Sequence, residues 1–172
     1  HLFLAFFLIT LLFDTLKRLN GQRIDLFKNK ILLFLLGITI MYGALVAGLK
    51  AGLIYNTFPL MEGHLFPSEA FFFSPSYVNF VKNQALVQWC HRVLALSLLA
   101  YTLYLWQKNG KYKLLFMKIS IQVTLGITTL LLVVPLWAAL THQAWAIAVW
   151  LCFLSVCVEK KKNAEKVTPN II

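Results

Sequence analysis

The sequence predicts an all-α fold, a polytopic bundle of transmembrane helices, on three observations. The chain of 172 residues is 60% hydrophobic and only 13% charged, and its mean hydropathy is +0.75. Its apolar runs have the roughly 20 residues that a helix needs to cross a hydrocarbon core of about 30 Å. Thirteen of the 16 lysines and arginines fall in the segments 17–30, 108–118 and 160–166, which alternate with those runs. Together these features predict five spanning helices.

The charge pattern also indicates which partners to expect. A net charge of +10 is compatible with nucleic-acid binding, but here the charges are divided among short segments between apolar runs. Basic loops of this kind are retained on the inner side of a membrane. We therefore expect contact with membrane lipid and no nucleic-acid partner.

The first two spans are joined by a short basic loop. The first covers about 1–18, the inner loop covers 19–29, and the second span runs from about 30 to 53. Small residues at Ala44, Gly48 and Gly52 share one predicted helix face, which favours close approach of another helix or of a flat ligand.

An outer loop at about 54–82 follows the second span. Pro59, Pro67 and Pro75 exclude a spanning helix there, and many aromatic side chains are typical of a membrane interface. Three further spans cover about 83–106, 113–134 and 137–158, with Pro135 closing the second of these. Segment 30–158 is thus predicted to be a four-helix bundle, and 159–172 a polar, disordered inner tail.

Three histidines lie near the outer ends of the helices that run from outside to inside. His1, His91 and His142 each precede a basic cluster by about 24–27 Å of helix, so we expect them at one depth. Imidazoles inside a bilayer are costly and indicate function. His91 and His142 would lie on diagonal helices of an up-down bundle, where they could take both axial positions of a haem iron. The alternative is two unrelated histidines, each hydrogen-bonded to a neighbouring helix.

Two polar neighbours of His91 are further candidates for the site. Arg92 could pair with haem propionates or extend to the membrane surface. Gln88 lies one turn before His91 and could hydrogen-bond a ligand or a loop. His64 is expected to be exposed in the loop. No carboxylate lies at the depth of the histidines, so the sequence identifies no general base.

The three helices also share a weak repeat. His1, His91 and His142 are each followed four residues later by alanine, which lies on the same helix face. This pattern indicates a duplicated helical unit.

Three sequence blocks resemble the haem A synthase family: Gly43-Ala-Leu-Val-Ala-Gly-Leu-Lys-Ala-Gly-Leu-Ile-Tyr-Asn-Thr-Phe-Pro-Leu-Met61, Ala85-Leu-Val-Gln-Trp-Cys-His-Arg-Val-Leu-Ala95 and Leu140-Thr-His-Gln-Ala144. The resemblance implies eight helices in two similar four-helix halves. It implies that this chain comprises the last helix of the first half and the whole second half. The implied activity is a membrane monooxygenase that hydroxylates the C8 methyl of haem O towards haem A for terminal oxidases.

The same resemblance assigns roles to the histidines. It implies that His91 and His142 hold a haem b cofactor, and that His1 binds the iron of the first-half site together with a histidine upstream of this sequence. The catalytic glutamate would also lie upstream, and Gln88 stands where the second half would carry its equivalent. Lys50 replaces an aspartate of many relatives, so any role of that acid does not carry over.

The resemblance raises haem O, haem O synthase, oxidase assembly factors and a second copy of the chain as partners. The expected location is a bacterial plasma membrane, with the mitochondrial inner membrane as the alternative. Two other functions fit the histidines: a bis-histidine cytochrome b that only transfers electrons, and a non-haem transporter or assembly factor. The glycine-rich block 43–61 favours the synthase.

Overall fold

Five long helices carry most of the chain in the computed structural model, which describes residues 1–160. A sixth, short helix lies in the outer loop. Four of the long helices are long and apolar enough to cross a membrane, which confirms the all-α polytopic membrane fold. The helices are α1 (Leu2–Leu19), α2 (Lys30–Gly48), α3 (Asn79–Lys82), α4 (Gln84–Lys108), α5 (Lys113–Leu131) and α6 (Leu136–Val156).

Helix α1 is not among those four. It has 18 residues, and Asp14, Lys17 and Arg18 lie in its last two turns. Length and composition therefore support four spans where the sequence led us to expect five, and the crossing of the membrane by α1 stays a prediction. Helix α1 packs against α6, where Phe6 meets Trp150 edge to face at 5.4 Å.

The other four long helices form the predicted bundle. Helix α2 packs against α4, α4 against α5, and α5 against α6, as expected for successive antiparallel helices of an up-down bundle. Helices α4 and α6 are not a closely packed pair in residues 1–160, which agrees with a diagonal placement. The fully buried apolar side chains of the main core include Leu32, Leu115, Ile119, Phe153 and Leu154.

Two short strands join the inner ends of the bundle, and the sequence analysis missed both. β1 (Gln22–Ile24) pairs antiparallel with β2 (Val158–Lys160). Glu159 accepts a hydrogen bond from Lys28 and lies 3.6 Å from Arg23. The prediction of a disordered tail over 159–172 is therefore wrong at its start, and positions 161–172 lie outside the described residues. Three residues are too few for an alternating pattern to indicate a strand.

Two predicted helix ends are also wrong, for the same physical reason. Helix α2 ends at Gly48 instead of about 53, because Lys50 adopts a left-handed conformation with φ 54°. Helix α5 ends at Leu131 instead of about 134, because Val133 and Val134 have φ of 60° and 56°. A right-handed helix cannot continue through such residues. The predicted small-residue face consequently stops at Gly48, and Gly52 belongs to a separate 3-10 turn over Ala51–Leu53.

Candidate functional site

His91 and His142 occupy matching positions in two glycine-lined notches. Each lies in the second turn of its helix, α4 or α6. A Cβ atom added to Gly43 of α2 would lie 3.1 Å from His91 Cε1, and one added to Gly126 of α5 would lie 3.0 Å from His142 Cε1. Any larger residue would displace the rings. Glycine therefore lets each imidazole rest directly on the backbone of a neighbouring helix.

The residue four positions before each glycine completes what we call a seat. The His91 seat consists of Gly43, which faces the ring, and Thr39, one turn before it on α2. The His142 seat consists of Gln122 and Gly126. The Gln122 side chain donates from Nε2 to the His142 carbonyl oxygen at 3.1 Å, and the same nitrogen lies 3.3 Å from each ring nitrogen. Residues i and i+4 share a helix face, so each seat is one patch of α2 or α5.

Buried polar atoms without partners concentrate at this site. In residues 1–160, four buried side-chain nitrogen or oxygen atoms have no hydrogen-bond partner, and three of them are His91 Nδ1, Arg92 Nε and Gln122 Oε1. An unsatisfied buried polar group costs about 1–3 kcal/mol, so such atoms are rare in proteins. A polar or metal-bearing ligand beside the two histidines would satisfy such atoms.

The ligand set suits haem. Within residues 1–160 there is no group of three or more His, Cys, Asp or Glu side chains that could hold a metal ion. Two imidazoles alone suit an iron that brings four equatorial ligands of its own, and close backbone approach at glycine suits a flat ring system. The unpartnered atoms and the glycine notches therefore fit the group that the resemblance implies.

A row of polar residues on α4 fixes the outer loop beside His91. Gln84, Gln88 and Arg92 recur every four residues and so share one face of the helix. All three donate to main-chain carbonyls of segment 49–60, and we call them the carbonyl row. Their acceptors are Leu49 for Gln84 (2.6 Å), Ala51 and Tyr55 for Gln88 (2.9 and 3.1 Å), and Thr57, Tyr55 and Leu60 for Arg92 (2.8, 3.0 and 3.4 Å).

This arrangement refines two expectations about the site. Of the two partners considered for Gln88, a ligand or a loop, the structure shows the loop. The Arg92 guanidinium also binds the loop, through both terminal nitrogens, a partner that the sequence analysis did not consider. Its contact with a propionate stays a prediction, for which Nε is the nitrogen left without a partner.

Further hydrogen bonds fix the outer loop, both to the bundle and within the loop itself, and none of them was predicted. Asn56 donates to the carbonyls of Gly52 and Leu130, at 2.8 and 2.9 Å, and so links the loop to the end of α5. The Tyr55 hydroxyl donates to Glu69, and this bond raises the Tyr55 pKa to about 12. An open cavity of about 630 Å³ lies nearby, but neither His91 nor His142 lines it.

The remaining sequence candidates lie apart from the seats. His1 is exposed at the N-cap of α1, and its role as an iron ligand stays a prediction. His64 is exposed in the loop, as expected. The site residues that the sequence analysis missed are Gln122, Gly126 and Asn56. A glutamine four residues before a glycine, inside an apolar helix, is the signal that could have found the first two.

The sequence matches one family model and many relatives. The model of the COX15-CtaA family, described as cytochrome oxidase assembly protein, matches residues 1–154. A Heme A synthase of Wolbachia sp. subsp. Brugia malayi (strain TRS) is 45% identical over 139 residues, which are 77% of this chain and 41% of that protein.

Two further relatives carry the same name. The Heme A synthase of Wolbachia pipientis wMel is 43% identical over 72% of this chain and 38% of its own length. The Heme A synthase of Nitrosospira multiformis is 42% identical over 73% of this chain and 38% of its own length. The chain thus spans about two fifths of the curated relatives that it matches. No solved structure matches the chain.

Proposed function

We propose a function from the premise that this chain belongs to the COX15-CtaA family of cytochrome oxidase assembly proteins. It takes part in haem A biosynthesis, and its bundle binds the haem b cofactor of a haem A synthase. The observation that carries this proposal is the pair of matched seats that present His91 and His142 from diagonal helices. In the whole enzyme, the reaction is oxidation of the C8 methyl of haem O towards haem A.

The residues of the chain supply ligation and shape. A bound haem would supply one-electron redox chemistry. His91 and His142 would hold its iron, as neutral imidazoles. Gly43 and Gly126 leave room for the rings to lie close to the backbones of α2 and α5. The carbonyl row keeps segment 49–60 against the outer end of α4, which restricts entry of water from that side.

The distribution of acids supports a cofactor role for this bundle. The carboxylates of residues 1–160 are Asp14, Asp25, Glu62, Glu69 and Glu159, and none lies in α2, α4, α5 or α6. A site without an acid or base beside its ligands is suited to holding an electron carrier. We place the oxidation of haem O at a second site, to which His1 contributes.

The cellular setting follows from the same proposal. The four apolar spans place the protein in a membrane, and we propose the bacterial plasma membrane. Haem O is the proposed substrate, and haem O synthase and terminal oxidase assembly are the proposed functional neighbours.

The ligand assignment is tested by the visible spectrum of the full-length protein. We expect His91→Ala and His142→Ala each to lose the six-coordinate, low-spin spectrum of the haem in this bundle, because one axial ligand is removed. His64→Ala is the matched control, since His64 is exposed in the outer loop. Retention of the low-spin spectrum in both helix variants would disprove the assignment.

The synthase activity is tested separately, by haem extraction and mass analysis. Cells that lack the protein should accumulate haem O and contain no haem A, and the full-length gene should restore haem A. A normal haem A content in the deletion strain would favour the bis-histidine cytochrome b that only transfers electrons.

A further inference from the structure

We propose that Gln122 is a positioning residue for His142, and that its side-chain oxygen accepts the Nδ1–H hydrogen bond of His142 when the other ring nitrogen binds iron. This inference rests on the proposed haem site. It concerns a residue on a different helix from either ligand, and none of the family motifs identified in the sequence includes it.

The first observation is the position of the Gln122 amide. Its Nε2 lies 3.3 Å from His142 Nδ1 and 3.3 Å from His142 Nε2. The lone pairs of the two ring nitrogens point in different directions. A donor that is equally far from both nitrogens therefore cannot align with both lone pairs. The shortest contact of Nε2 is the hydrogen bond that it donates to the His142 carbonyl, at 3.1 Å. The amide is therefore within hydrogen-bond reach of the ring without being committed to it.

The second observation is the unused acceptor of the same side chain. Gln122 Oε1 is buried and has no hydrogen-bond partner within the described residues. A side-chain amide carries both a donor and an acceptor, and rotation about its last bond exchanges their places. In this site the rotation replaces the hydrogen bond from Nε2 to the His142 carbonyl by a hydrogen bond from the ring to Oε1. The same group can thus donate to a ring nitrogen that lacks a proton, or accept from one that carries a proton.

An imidazole that binds iron through one nitrogen almost always donates the hydrogen on the other to an acceptor. When one ring nitrogen binds a metal, the other carries a proton, and its hydrogen bond sets the tautomer and the ring orientation. Accepting that bond also makes the imidazole a stronger electron donor to the metal. Since α5 presents Gln122 and Gly126 on one face, the oxygen lies on the helix against which the His142 ring already rests.

The test uses full-length protein with Gln122 replaced by leucine or by glutamate. We expect Gln122→Leu to keep haem content within about twofold, because both axial ligands remain. Its midpoint potential should be higher than that of the wild type, because a ligand without an acceptor donates less charge to the iron and favours the reduced state. Gln122→Glu should shift the potential the opposite way, because a carboxylate is a stronger acceptor.

The matched control is Gln143→Leu, since Gln143 is exposed on α6 beside His142. We expect it to leave the potential and the low-spin EPR spectrum unchanged. Wild-type potentials in both Gln122 variants would overturn the positioning role. If the Gln122→Leu protein fails to fold, the midpoint potential of Gln122→Glu decides the question, and we expect it to be lower than that of the wild type. If His142→Ala loses haem while both Gln122 variants keep the wild-type potential, this inference fails and the proposed function stands.

Discussion

His91 and His142 rest on equivalent glycines, but different parts of the molecule supply the polar groups around them. Near His91, the polar neighbours belong to α4 itself and reach outwards to the loop, as Gln88 and Arg92 do. Near His142, the polar neighbour is Gln122, which reaches across from α5. The polar contacts beside His91 thus join a helix to a loop, whereas the polar contact beside His142 joins two helices. The surroundings of the two imidazoles can therefore be changed independently.

The first prediction tests whether the two seats are equivalent. We expect Gly43→Val and Gly126→Val each to lower haem retention in the full-length protein by about tenfold or more, because overpacking costs about 1–3 kcal/mol. Haem content per protein after purification measures this. Gly37→Ala is the control, because nothing lies within 4 Å of a Cβ added there. A large loss at only one glycine would mean that the seats are not equivalent.

The second prediction concerns the His91 side alone. Arg92→Ala removes three hydrogen bonds to loop carbonyls. Each hydrogen bond to a charged group contributes about 1.5–3 kcal/mol, but the freed carbonyls are partly rehydrated. We therefore expect segment 49–60 to be destabilised by about 2–4 kcal/mol. Faster amide hydrogen exchange in residues 55–65 is the measurement. The turn before α6 should exchange as in the wild type. Equal acceleration at both places would show that the two sides are coupled.

Arg18→Ala is the matched control for the loss of an arginine. Arg18 pairs with Asp14 on the exposed side of α1, and its side chain is 70% exposed. Exposed ion pairs of this type contribute little, so loop exchange should not change.

The third prediction compares the two left-handed turns. Val133→Gly should stabilise the protein by about 1 kcal/mol, because a left-handed conformation costs a residue with a Cβ about 1–2 kcal/mol and glycine almost nothing. Lys50→Gly should give a smaller gain of about 0.5 kcal/mol, because its side chain is not branched at Cβ. Unfolding in detergent measures both. Val133→Ala retains a Cβ and should give no comparable gain.

The smallest effect is a pH dependence of the outer loop. The bond from Tyr55 to Glu69 raises the Tyr55 pKa from 10.0 to about 12. Its stabilisation is therefore complete below pH 10, the unfolded pKa, and is lost as the pH rises through about 12. Proteolysis of the loop should accelerate over that interval in the wild type. Tyr55→Phe should show no such step, and an unchanged step in that variant would refute the assignment.

The sequence predicted the features that depend on average composition and on helix length. Apolar runs and basic segments placed the four spans of the bundle. The same counting of residues put His91 and His142 near the starts of their helices, where α4 and α6 carry them. The outer loop was predicted from Pro59, Pro67 and Pro75. These features are properties of segments of about 20 residues and do not depend on any single position. One sequence is therefore enough to detect them.

The features that escaped prediction depend on single residues and on tertiary contacts. Lys50 and Val133 have no local preference for left-handed backbone, so their helix ends could not be predicted from residue type. Gln122 shows its role only when α5 and α6 are packed together. Asn56 is likewise an ordinary loop residue until it meets the end of α5.

The pairing of β1 with β2 has a consequence for the architecture of the protein. Ile24 lies opposite Val158, so the chain enters and leaves the four-helix unit at one place. A unit whose ends adjoin can be copied in tandem, or opened elsewhere and rejoined, without rearranging its helices. A circular permutant that joins the two strands and begins within the outer loop should keep the same bundle.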